Sequence, residues 1–111
     1  MVVNKIAELE GFKVLINGKA MDREISGIYC CDLLSVAMGK APAGSCWCTV
    51  MANMNTLAVA SLTDCSCIVL CHNAKCDENM MLKAETEGIT VFSTEMPIFE
   101  ASQAIYNVMI K

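Results

Sequence analysis

Cys67-Ile68-Val69-Leu70-Cys71 is the stretch on which the fold turns. An unbroken apolar run of this length is the mark of a strand buried on both faces, and such strands belong to parallel sheets covered by helices. After the run, Asp77 is placed to cap a helix that buries Met80, Met81 and Ala84 and closes at Gly88. Ile89-Thr90-Val91-Phe92 then reads as a last strand. Pro97 opens a final helix with apolar residues at Ile98, Ala101, Ile105, Val108 and Met109.

The pattern extends toward the amino end. Asn53 or Asn55 can cap a helix of small residues from Thr56 to Leu62, and Cys46-Trp47-Cys48-Thr49-Val50 is strand-like. Asp32 is a candidate cap for a helix with Leu33, Leu34, Ala37 and Met38, ending at Gly39. Ile25 to Cys31 and Phe12 to Ile16 read as strands, with a turn signal at Asn17-Gly18 between them. Asn4 can cap a short helix through Glu10 that stops at Gly11. Strands and helices alternate with short links, which requires crossover connections between parallel strands. No linker, repeat or low-complexity tract interrupts the chain. The expected architecture is a single α/β domain over residues 1–111, with a mainly parallel central sheet covered by helices.

The 111 residues are 55% hydrophobic and 18% charged, which excludes a disordered chain. The net charge of −4 leaves nothing to replace phosphate counterions, so no nucleic-acid partner is expected. Glu8 and Glu10 interrupt the start before an apolar leader could form. The uncharged stretch from Ala41 to Thr63 holds Pro42, Gly44, Asn53 and Asn55 and makes a poor membrane span. A cytoplasmic protein without membrane attachment is expected, with its cysteines reduced.

Those cysteines are the one chemical oddity, with 8 Cys and 9 Met but only 5% aromatics. The segment Cys65-x-Cys67-x3-Cys71-His72-x3-Cys76 has neither the paired knuckles of a zinc site nor an iron–sulfur spacing. Cys67 and Cys71 sit on one strand face roughly 13 Å apart, too far for one ion. Small apolar packing is the simpler role for them, and no metal is expected. Cys76, just before a helix and near His72, is the candidate for a reactive thiol.

Phosphate-loop, dinucleotide and hydrolase motifs are missing; Gly39-Lys40 is followed by Ala41, and Leu34 stands where a phosphate loop needs glycine. No catalytic constellation and no cofactor are expected. A ligand could instead gather Asp32, Asn53, Asn55 and His72 at the carboxyl ends of the strands, where α/β sheets bind small molecules. Metal or redox chemistry through the cysteines is a third, separate possibility.

The most distinctive local pattern is Asp22-Arg23 followed by Ser26-Gly27. Arg23 can fork onto a carboxylate and pin a loop, and Gly27 suits a bulge or a close backbone approach. Together with Cys31-Asp32-Leu33-Leu34-Ser35 and the helix Asn55-Thr56-Leu57-Ala58-Val59-Ala60, the pattern resembles the DRTGG domain family from about Val3 to Tyr106. Ser26 stands in the family's Thr place, and Ile28 where a second Gly belongs. The resemblance implies a fold similar to the N-terminal domain of HPr kinase and a non-catalytic regulatory or dimer-forming role. A homodimer is expected, and a mean hydropathy of +0.47 agrees with apolar surface left for a partner.

Overall fold

The computed structural model describes residues 1–111. Its elements are a 3-10 turn at Val3–Glu8, then β1 (Phe12–Ile16), β2 (Gly27–Cys30), α1 (Leu34–Lys40), β3 (Ser45–Thr49) and α2 (Met54–Leu62). β4 (Cys67–Leu70), α3 (Glu78–Glu87), β5 (Thr90–Thr94) and α4 (Ile98–Met109) complete the chain. The five strands form one mixed sheet in the order β1-β5-β4-β3-β2.

From β2 to β5 the strands are laid down side by side, each parallel to the last. Crossovers of one hand, stepping always in one direction, put their helices on one face. That face buries Trp47, Leu57, Ile68, Leu70, Met80 and Val91 beneath α1, α2 and α3. The other face buries Cys46, Cys48, Cys67, Val69, Cys71 and Phe92 under α4 and the amino-terminal turn, through Ala101, Ile105, Val3 and Ile6. All of β3 and β4 is buried, which is why Cys67-Ile68-Val69-Leu70 carries no alternation.

The caps explain where helices begin. Asn53 Oδ1 accepts from Thr56 N at 3.2 Å, and Asp77 Oδ1 accepts from Met80 N at 2.7 Å. Asn53, not Asn55, is therefore the cap of α2, and the helix starts two residues earlier than expected. Gly88 ends α3 in the left-handed conformation, φ 74°.

Four local expectations are corrected. The Asn17-Gly18 segment, expected as a turn between two strands, forms no turn: β1 and β2 lie at opposite edges of the sheet, and β1 pairs antiparallel with β5. Gly18 is instead where the connection crosses under β5, with a Cβ there only 2.5 Å from Gly88 O and 2.6 Å from Thr90 N. The amino-terminal turn is 3-10 and has no side-chain cap, so Asn4 does not start it. Asp32 does not cap α1, whose N-cap is Leu33, and α1 runs through Gly39 to Lys40. Gly27 begins β2 in open space, with no atom within 4 Å of a Cβ placed on it, so it mediates no close approach.

Candidate functional site

The residues around Asp22-Arg23 form a staple at the amino ends of the parallel strands. Arg23 donates from Nη1 and Nη2 to the two Asp64 carboxylate oxygens, each at 2.9 Å, and from Nη2 to the Asp64 carbonyl at 3.1 Å. Hydrogen bonding to the guanidinium holds the Asp64 carboxyl below the usual carboxylate range. Asp64 takes a left-handed backbone, φ 58°, and its carbonyl also accepts from Gly44 N at 2.7 Å. Ser26 adds a hydroxyl bond to Ala43 O at 2.7 Å. The segment before β2 is thus tied both to the loop before β3 and to the turn before β4. Asp22 is exposed and makes no side-chain hydrogen bond within the chain.

Two of the residues expected to bind a ligand use one side-chain oxygen each within the chain. Asp32 Oδ1 accepts from Thr49 Oγ1 at 2.7 Å and from Val50 N at 2.9 Å, tying the end of β2 to the end of β3. Asp32 Oδ2 makes no hydrogen bond within the chain, and the residue is exposed. Asn53 spends its oxygen on the α2 cap. Asn55 and His72 are exposed and make no side-chain hydrogen bonds within the chain. None of the four lines either of the two main clefts.

The larger cleft lies elsewhere. It measures about 520 Å³ and sits where the start of β1 meets the end of β5, under the loop that follows β4. Antiparallel register places Phe12 beside Thr94 and Lys13 beside Ser93. The loop is drawn down onto this end by His72 N to Met96 O and Asn73 N to Thr94 O, both 2.9 Å. To make those bonds His72 and Asn73 adopt φ of 56° and 55° in succession, a conformation that non-glycine residues take at a cost. Gly11 makes the turn into β1 at φ 90°, where a Cβ would meet Met96 Cε at 2.7 Å.

Lys13 and Lys75 bring two cations to this cleft, and neither is in an ion pair. Glu95 supplies one carboxylate, and Asn73, Ser93 and Thr94 supply neutral polar groups. Such a lining can hold phosphate oxygens on the lysines and hydroxyl or amino groups on the carboxylate and amide. Sequence reasoning missed it because three separate segments build it. The strand-end rule did point to the loop after Cys71, but to its histidine and not to Asn73 and Lys75.

The cysteines pack as expected. Cys46, Cys48, Cys67 and Cys71 have no accessible surface, and all eight thiols are free. No three of the His, Cys, Asp and Glu side chains converge as a metal-ligand set. Cys76 is not activated: burial, aided by the Asp77 charge, pushes its thiol up.

No protein-family profile and no curated protein sequence matches the chain. Among solved structures, the CBS and DRTGG domains of the regulatory region of Clostridium perfringens pyrophosphatase superpose with a TM-score of 0.71. The fold is shared with part of that region. The match covers 94% of this chain and 45% of that one, at 14% identity, so the likeness is one of fold. The chain spans less than half the length of that regulatory region, which was solved in complex with its activator, diadenosine tetraphosphate. No helix here is long and apolar enough to cross a membrane.

Proposed function

We propose that this chain is a non-catalytic, DRTGG-like regulatory module that senses a small phosphorylated ligand in the cleft between Lys13 and Lys75. The observation that carries the proposal is the convergence of two unpaired lysines on one polar cleft of a protein with net charge −4. Lys19, Lys40 and Lys111 are also outside ion pairs, and what sets Lys13 and Lys75 apart is that they line the same cleft. The fold neighbour's regulatory role and its activator nucleotide support the same class of ligand. The proposed module shares its general fold with the HPr kinase N-terminal domain but carries no phosphate loop for phosphoryl transfer.

The proposal includes a homodimer. Its support is exposed apolar surface: Leu33, Val36 and Met38 on or beside α1, and Leu62, 74% exposed, at the end of α2. A light-scattering mass of twice 12.0 kDa is expected, and a monomer at micromolar concentration would remove the dimer from the proposal.

Thermal shift with ATP, ADP, diadenosine tetraphosphate and inorganic phosphate tests the ligand. A rise of about 5 °C is expected at roughly tenfold excess over Kd for at least one nucleotide. The rise should vanish in the Lys13→Ala/Lys75→Ala double variant, which removes only exposed side chains. No rise with any of the four, or an undiminished rise in the double variant, defeats the proposal.

A further inference from the structure

The thiols of the α4-covered face pack in the core and also stand in register with one another. Parallel register sets Cys30 beside Cys48 across β2 and β3, and Cys46 beside Cys67 across β3 and β4. Cys46 and Cys48 alternate on β3 and so share a face, on which Cys67 and Cys71 are also buried. Together the five cysteines make a ladder of thiol-bearing positions from β2 to the end of β4. Only its Cys30 end is exposed; the other four are completely buried.

The geometry points to Cys30 and Cys48 as a two-thiol oxidation site for hydroperoxides, with Cys30 attacking and Cys48 resolving. Directly paired residues on neighbouring strands lie about 4.8 Å apart, within the Cα span that a disulfide bridges. Side chains of paired residues also point to the same face. Cys46 and Cys67 satisfy the same register, but both belong to central strands and no oxidant reaches them. β2 is an edge strand of four residues, none of them fully buried, so it can draw inward as the bond forms.

The environment of Cys30 suits the attacking role. The interaction with Cys48 brings its thiol down to about 6, with the Ser102 hydroxyl assisting, while partial burial and the charges of Cys46 and Asp32 oppose the shift. Cys48 is pushed the other way, chiefly by the same interaction with Cys30. Within the Cys30–Cys48 pair the thiolate is therefore favoured at Cys30, the member that solvent and peroxide can reach.

The Cys30 thiolate attacks one oxygen of the hydroperoxide. The O–O bond breaks, the leaving oxygen takes a proton as water or alcohol, and Cys30 becomes a sulfenic acid. The Cys48 sulfur then attacks the Cys30 sulfur. The S–O bond breaks, and the departing hydroxide takes the Cys48 proton as water. Two electrons pass from the sulfurs to the peroxide, and one S–S bond forms. A bond that pulls paired Cβ atoms closer than the sheet spacing is strained, so thiol reductants reverse it readily.

The test uses the complete reduced chain exposed to hydrogen peroxide, followed by thiol blocking in denaturant, mass spectrometry and peptide mapping. The expected result is loss of two of the eight thiols and one crosslink, joining Cys30 to Cys48 within a single chain and reversed by dithiothreitol. Cys30→Ser, an exposed substitution, should keep all its remaining thiols. In Cys48→Ser the Cys30 sulfenic acid should persist and be trapped by dimedone. The wild-type map stands whether or not the Cys48 variant folds. A crosslink between other cysteines or between chains, sulfinic acid at Cys30 without a crosslink, or eight intact thiols would overturn the assignment.

Discussion

Arg23 holds Asp64 with two parallel hydrogen bonds of 2.9 Å, across 41 residues of sequence. The pair closes the amino end of the sheet, because Asp64 sits in the turn between α2 and β4 and Arg23 leads into β2. Both side chains retain solvent contact, at 31% and 67%, so screening keeps the contribution small. Arg23→Ala should cost about 1 kcal/mol, read from the urea midpoint at neutral pH.

That cost should depend on pH with a definite sign. Asp64 titrates lower in the folded chain than unfolded because Arg23 favours its charged form. Its stabilisation is fully present above the unfolded carboxylate value of about 3.9 and fades as pH falls through the lower folded value. The stability gap between wild type and Arg23→Ala should therefore narrow as pH falls through the folded Asp64 value. An acid melt in which the gap stays constant would contradict the pairing.

Two glycines should answer oppositely to alanine. At Gly18 a Cβ would press on Gly88 O and Thr90 N, both backbone atoms that cannot swing away. Gly18→Ala should destabilise by about 1–3 kcal/mol. At Gly27 a Cβ meets nothing, so Gly27→Ala should be neutral or stabilising by up to about 1 kcal/mol. Thermal melts of the two variants check the contrast.

Asp32→Ala should behave as a structural variant. It removes an acceptor from Thr49 Oγ1 and Val50 N, at a cost of about 1–3 kcal/mol, and should leave nucleotide affinity unchanged. A variant of normal stability with lost affinity would move the ligand to the ends of β2 and β3.

Alkylation should sort the thiols. Cys30 reacts as a thiolate, so its rate with iodoacetamide should climb through about pH 6 and level off by neutrality. Cys76, pushed up by burial and by Asp77, should still be accelerating well above neutral pH. Peptide-resolved rates check both. A Cys30 profile that rises only at alkaline pH contradicts the ladder's effect on it.

These relationships also mark what can be read along a chain. The buried run Cys67–Leu70, the caps Asn53 and Asp77, the left-handed Gly88 and the opening Pro97 are local signals, and each names its element. Their alternation implies the parallel sheet. β1 carries no signal for its place, because Phe12–Ile16 is equally able to pair with a neighbour in sequence or, as it does, with β5 beyond three crossovers. The Cys67–Cys71 separation argues against one metal ion between them, yet a strand-by-strand view misses that β3 brings further cysteines to the same face. The cleft has the same character: Lys13, Lys75 and Glu95 have no spacing in common and meet only when β1 docks.

Where the ligand sits is the central claim, and amide chemical-shift mapping with diadenosine tetraphosphate and ATP tests it most directly. The largest shifts should fall on Gly11, Lys13, Asn73, Lys75 and Ser93, with Asp32, Asn53 and Asn55 unmoved. Shifts centred on those last three residues, or no shifts with either nucleotide, would contradict the account.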